Sequence, residues 1–240
     1  MQVYHLQLRE RHGISCDLVS AATESWGPQN SNFEYFSEGP FYTWFDHTTQ
    51  YVSSNLGLGS SSSSLEAALR RVMAVVKAHG PYDGVYGFSQ GGFMAAALCN
   101  QSVWHGMFGL AECPFKFAVL ACSALESVLT SCEVPLLGTD GPTRTKLTLP
   151  IPSNVASLHL VGESDFLHRS ASRANAKHFV DSKTYVHASG HEVPMRLMQD
   201  EALRTLLHEF FGRFSDATPP PRPLSPPEHS YRSSGYYGDW

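Results

Sequence analysis

No run of about 18 apolar residues occurs in the sequence, so nothing in it reads as a membrane-spanning helix. A cluster of lysines or arginines is missing too. The 17 basic residues are outnumbered by 22 acidic ones and the net charge is -5, so nucleic acid is not an expected partner. Nor is there a C-x-x-C pair. The five cysteines, Cys16, Cys99, Cys113, Cys122 and Cys132, are odd in number. That suits reduced thiols in the cytoplasm better than a disulfide framework or a zinc site, and no metal is expected. The opening MQVYHLQLRERHG carries charges and no apolar core, so it does not read as a secretory signal. Internal repeats are absent as well. What is present is a globular composition: 240 residues, 42% of them apolar, enough to bury a sizeable core.

The patterning predicts strands alternating with helices. ISCDLVSA (residues 14–21) is short and rich in β-formers and reads as a strand. Residues 23–58 look irregular, and Gly59 with the serines at 60–64 reads as a flexible link. Ser63 and Glu66 form a capping-box pattern. Leu65, Leu69, Val72, Met73 and Val76 then share one helical face, and Gly80-Pro81 ends the helix. Further strands are expected at 83–88, 117–121, 158–161 and 184–187. Helices are expected at 93–99 and 170–179, and over a last stretch marked by Met195, Met198, Leu203, Leu206, Leu207 and Phe210. FAVLA (residues 117–121) has the continuous apolar character of a strand covered on both faces. The implied architecture is α/β, a mostly parallel sheet with crossover helices. The domain is expected over residues 1–215. Residues 216–240, rich in proline, serine and glycine, read as a disordered tail. Its PPPRP can dock weakly in an SH3-like groove, although a solvated tail without a partner is the plainer reading.

The chemistry concentrates in VYGFSQGGFMAAAL (residues 85–98). A short apolar strand meets an alanine-rich helix, and Ser89 sits at the corner inside Gly-x-Ser-x-Gly. Such a corner is strained, so small residues must flank it, and the turn lifts the hydroxyl above the sheet. The helix aims its positive end at the site, and the backbone amide of Gln90 can donate to a developing oxyanion. An ordinary tight turn is the bland alternative. Partners for Ser89 follow in the chain order serine, acid, histidine. Asp165 comes just after the strand at 158–161, with Glu163 as its rival. His191 lies in the Gly-bearing loop HASGHEVP, whereas His187 belongs to the preceding strand.

GPYDGVYGFSQGG, SLHLVGESDF and HASGHEVP together resemble the FSH serine hydrolases, a group of small α/β-hydrolases, over about residues 1–212. EGPFYTWFDHTT (residues 38–49) is similar to the fungal branch of that family. That branch includes esterases and thioesterases that release acyl chains in polyketide gene clusters. By position, the resemblance implies Ser89 as nucleophile, Asp165 as acid and His191 as base, with helices on both faces of the sheet and no cofactor. Phe41, Tyr42, Trp44 and Phe45 are candidates to line an acyl pocket, with plain packing as the alternative. The implied substrate is a small-molecule acyl ester or a carrier-bound acyl thioester, met in secondary-metabolite biosynthesis. One departure stands out. Family members open on a strand and a His-Gly loop that supplies a second oxyanion amide, and LQLRERHG here matches the end of the following helix. The chain is therefore expected to be N-terminally truncated, its missing strand falling in mid-sheet between residues 14–19 and the serine strand. A catalytically impaired pseudo-hydrolase serving as a binding module is the alternative this departure raises.

Overall fold

The computed structural model describes residues 14–21, 23–25, 41–45, 61–123, 132–137, 143–151, 154–165, 169–193 and 200–214. The expectations for the tail at 216–240 and for Met195 and Met198 fall outside those residues. A small antiparallel pair comes first, β1 (Thr23–Ser25) with β2 (Phe41–Thr43). Helix α1 (Ser61–His79), strand β3 (Gly84–Phe88) and helix α2 (Gln90–Leu98) follow, then a π-helical turn at Ser102–Met107 and strand β4 (Phe117–Ala121). Strands β5 (Glu133–Pro135) and β6 (Arg144–Lys146) form a second antiparallel pair. The chain continues through β7 (Ala156–Gly162), α3 (Arg169–Asn175), a 3-10 turn (Ala176–His178), β8 (Asp181–His187) and α4 (Glu201–Gly212).

The main sheet has the order β3-β4-β7-β8, and every pairing in it is parallel. Side chains of a strand alternate between faces, and β4 shows what that does to a continuous apolar run. Ala118 and Leu120 join the layer built with α1 and α2, while Val119 and Ala121 join Leu158, Leu160 and the α4 residues Leu203, Leu207, Phe210 and Phe211. Helices thus cover both faces, as parallel strands require. Strand β7 is buried at every position, whereas β3, the last strand on its side among the described residues, is mostly half-buried.

Two expectations need correction. Residues 14–21 form no strand; they are held by side chains instead. Arg71 Nε donates to the carbonyl of Ser20 at 3.0 Å, the Tyr82 hydroxyl donates to Asp17, and Val19 packs on the core. Helix α1 also starts before the capping-box position, taking in the serines at 61–64 that read as a flexible link. It begins at Ser61, and the Glu66 carboxylate turns to Arg70 at 3.0 Å and Arg144 at 3.5 Å. Burying Leu65 and Leu69 completely contributes roughly 1.5–3 kcal/mol each, more than the ~1 kcal/mol of a serine cap, so the apolar stripe decides where α1 lies. At its far end the Gly80 amide donates to the Val76 carbonyl at 2.8 Å.

Parallel strands place all their carboxyl ends on one rim. Phe88 leads to Ser89, Ala121 to Cys122, Gly162 to Asp165 and His187 to His191. Four connections that are far apart in sequence therefore meet.

Candidate active site

Ser89 occupies the corner between β3 and α2 with φ 52° and ψ -120°, outside the usual range for a residue with a side chain. Three contacts hold it there. Its amide donates to the Ala121 carbonyl at 2.8 Å, and its carbonyl accepts from Gly92 at 3.0 Å and Phe93 at 3.3 Å. The glycines around the corner are not equivalent. A Cβ on Gly87 would lie 1.9 Å from the Gly91 oxygen, and one on Gly92 would lie 2.6 Å from Cβ of Ser123. At Gly91 the nearest atom is Trp44 Nε1, at an ordinary 3.6 Å. The crowding predicted on both sides of the serine is real before it, but after it falls one residue later than the motif suggests.

The loops after β7 and β8 are laced together by their backbones. Glu163 donates to the His187 carbonyl at 2.7 Å and Ser164 to that of Ser189 at 3.1 Å, and the Ser164 hydroxyl reaches Ala188 at 3.1 Å. Gly162 permits this closeness, because a Cβ there would sit 2.2 Å from the Gly190 oxygen. The lacing brings Asp165 under His191. Asp165 is 1% exposed, and its Oδ2 lies 3.0 Å from His191 Nδ1. On the other side of the ring, Nε2 lies 2.9 Å from Ser89 Oγ. The Phe88 ring packs against the imidazole at 4.9 Å. Glu163, the rival acid, points away and pairs with Arg173 at the surface.

Two neighbours flank this line: His187, which lies in the strand as its sequence position implies, and Cys122, to which no sequence motif points. His187 ends β8, nearly buried, and burial pulls its pKa below the ordinary histidine value. Cys122 follows β4 with φ 47°, and burial pushes its thiol up to about 11. Its Sγ and ligand atoms of Asp165 and His191 all lie within 4.8 Å of one another.

Gln90 begins α2, which puts its backbone amide in the helix's first turn, where amides point toward the Ser89 rim. Its side chain has a second task that the motif does not reveal. Oε1 accepts from the Trp44 amide at 2.8 Å and from the Thr43 hydroxyl at 3.0 Å, and Nε2 donates to the Phe45 carbonyl at 2.8 Å. The only hint in the sequence is a polar residue heading an otherwise apolar helix. These bonds fasten the end of β2 to the serine corner. The four aromatics of that segment then divide. Phe41 lies in β2, Tyr42 is exposed, and Trp44 stands beside Gly91. Phe45, 3% exposed, is drawn into the core against Phe93 with ring centroids 4.8 Å apart, the packing role that was its alternative.

The profile of a family described as "Serine hydrolase (FSH1)" matches residues 6–203. Esterase OVCA2 of Xenopus tropicalis is 28% identical over 168 residues, which cover 70% of this chain and 65% of that protein. The chain thus spans just under two thirds of that relative's length. Esterase FPY3 of Fusarium mangiferae is 28% identical over 138 residues, 56% of this chain and 58% of that one. Among solved structures, a carboxylesterase from Mesorhizobium loti aligns with a TM-score of 0.41 and 13% identity, covering 73% of this chain and 70% of that one.

Proposed function

The chain belongs to the FSH1 serine hydrolase family, and from that premise we propose that it cleaves a small-molecule acyl ester or thioester through an acyl-enzyme on Ser89. The observation that carries this reading is the hydrogen-bonded line from Ser89 Oγ through His191 to Asp165, at 2.9 and 3.0 Å. Nδ1–H of His191 donates to the Asp165 carboxylate, which leaves the Nε2 lone pair facing the Ser89 hydroxyl. As Oγ attacks the acyl carbonyl, Nε2 takes the hydroxyl proton and Asp165 stabilises the imidazolium. The Gln90 amide donates to the oxyanion. The intermediate collapses, Nε2 returns the proton to the leaving alcohol or thiol, and the acyl group stays on Oγ. Water activated by the same nitrogen then releases the acid. Asp165 is shielded from solvent, so its charge acts on the imidazole with little screening.

Trp44, held beside the corner by Gln90, is the proposed wall of the acyl pocket, with Tyr42 at its outer edge. The similarity of residues 38–49 to the fungal branch supports the narrower proposal that the substrate is an acyl chain of secondary metabolism, carrier-bound or free. The odd number of cysteines, with no C-x-x-C pair among them, supports a reducing compartment, the cytoplasm.

A fluorophosphonate probe tests the central claim. Ser89 is expected to be labelled, and Ser89→Ala to be silent. A folded wild-type chain that takes no label would favour the non-catalytic binding module instead. Hydrolysis of p-nitrophenyl esters and acyl thioesters of graded length then separates esterase from thioesterase and measures the pocket.

A further inference from the structure

The mechanism above leaves Cys122 with nothing to do. Yet this residue holds a strained backbone, φ 47°, at the rim that carries Ser89, Asp165 and His191. It is fully buried. Its Sγ lies 3.4 Å from the Glu192 carbonyl oxygen, 3.8 Å from that of Gly190 and 3.9 Å from Nε2 of His187. His187 is itself 6% exposed, and its other ring nitrogen has no hydrogen-bond partner among the described residues. A thiol, a carboxylate and an imidazole thus offer ligand atoms within 4.8 Å of one another, and a second, buried imidazole is aimed at the thiol.

Sulfur and imidazole donors select soft divalent cations over Mg²⁺ and Ca²⁺, which prefer oxygen. A tetrahedral zinc ion, with bonds of about 2.0–2.3 Å, needs its ligand atoms about 3.3–3.7 Å apart. The 3.0 Å between His191 Nδ1 and Asp165 Oδ2 is close to that spacing, and the thiol has to approach by roughly 1 Å. We propose that Cys122 Sγ, the Asp165 carboxylate and His191 Nδ1, with His187 Nε2 as a fourth donor within reach, form an inhibitory site for Zn²⁺ or a cation of the same class. Binding displaces the thiol proton to solvent and forms the metal–sulfur bond. The metal also takes the Nδ1 lone pair of His191, so the single ring proton of the neutral imidazole moves to Nε2. An Nε2 that carries a proton cannot accept one from Ser89, and the Asp165 charge is committed to the metal. Ser89 itself is untouched. The inhibition rests on the hydrolase reading; the binding does not.

The full chain, treated with a chelator and then titrated with ZnCl₂, tests the site through two readouts, calorimetry for binding and fluorophosphonate labelling of Ser89 for reactivity. Zn²⁺ is expected to bind and suppress labelling, and the chelator to restore it. Cys122→Ala and Cys122→Ser should label normally without metal. Both should need at least about tenfold more Zn²⁺ for the same binding and suppression. Variants as zinc-sensitive as the wild type would overturn the proposal. So would equal suppression of the wild type by Mg²⁺, a comparison that needs no variant to fold. If metal-free wild type does not label at all, the hydrolase reading fails by itself. Calorimetry still decides the site then: Zn²⁺ binding that weakens with Cys122 substitution supports it, and binding indifferent to Cys122 overturns it.

Discussion

Ser89, His191 and Asp165 act, in the proposed mechanism, as one hydrogen-bonded path in which His191 alone carries the proton and Asp165 stabilises its cation, so the acid and its rival should behave oppositely when altered. Asp165→Asn keeps the shape of the side chain but lets its amide donate to Nδ1. That stabilises the tautomer with the proton on Nε2, which cannot serve as base. A loss of about 10⁴ in kcat is expected with KM little changed. Glu163→Gln alters a half-exposed partner of Arg173 and should leave the rate within about twofold. Steady-state kinetics on one p-nitrophenyl ester reads both, and equal losses would remove Asp165 from the path. Gln90 offers a finer test. Gln90→Glu retains the backbone amide but replaces the donor to Phe45 with a carboxylate oxygen facing a carbonyl. The Trp44 segment should loosen. KM for long acyl esters should then rise about tenfold, the worth of one hydrogen bond of about 1.4 kcal/mol. The kcat for a short ester should hold. A fall in kcat alone would mean that the side chain serves the chemistry and not the pocket wall.

Among the elements, the turn from β3 to α2 makes the sharpest contrast. Gly87→Ala places a methyl group 1.9 Å from a backbone oxygen that a rigid helix start cannot withdraw, so loss of the folded protein or of all labelling is expected. Gly91→Ala meets only Trp44 Nε1 at 3.6 Å, and labelling should survive. The consensus motif treats both glycines alike; only the packing separates them. Other elements show the same limit of sequence reading. Parallel strand ends could be located because FAVLA and the apolar stretch at 158–161 stand out from their surroundings. Placing them in one sheet brings residues 89, 165 and 191 to a common rim with no further information. The three-residue strands β1, β2, β5 and β6 carry too few side chains for a periodicity and went unseen. The sequence marks strand β8 only at 184–187 because Asp181, Ser182 and Lys183 at its start are all polar, an edge-strand pattern. Residues 14–21 have the composition of a strand, but a ladder needs a partner, which composition cannot report.

The whole molecule depends on pH through imidazoles that are buried without charge. His159 points from β7 into the interior, 1% exposed, with Nε2 bonded to the Ser157 hydroxyl at 2.9 Å and its ring against Phe179. Burial, with His178 as a nearby second imidazole, lowers its pKa from 6.5 to about 4. The sign follows from proton counting. Between those two values the unfolded chain holds a proton at this position and the folded chain does not, so stability rises with pH across the window and is lost as pH falls. A depression of this size corresponds to on the order of 3 kcal/mol between pH 7 and pH 4, a large share of the 5–15 kcal/mol of a typical domain. His187, lowered by the same cause, acts in the same direction. The urea midpoint should therefore drop steeply as pH falls below about 6.5. His159→Gln cannot titrate in this range. It should begin less stable at pH 7 through lost packing, yet show a visibly shallower decline toward pH 4.5. Parallel declines in wild type and variant would place the acid sensitivity elsewhere, with the carboxylates of Asp181 and Asp200, both held low by their partners, the next groups to examine.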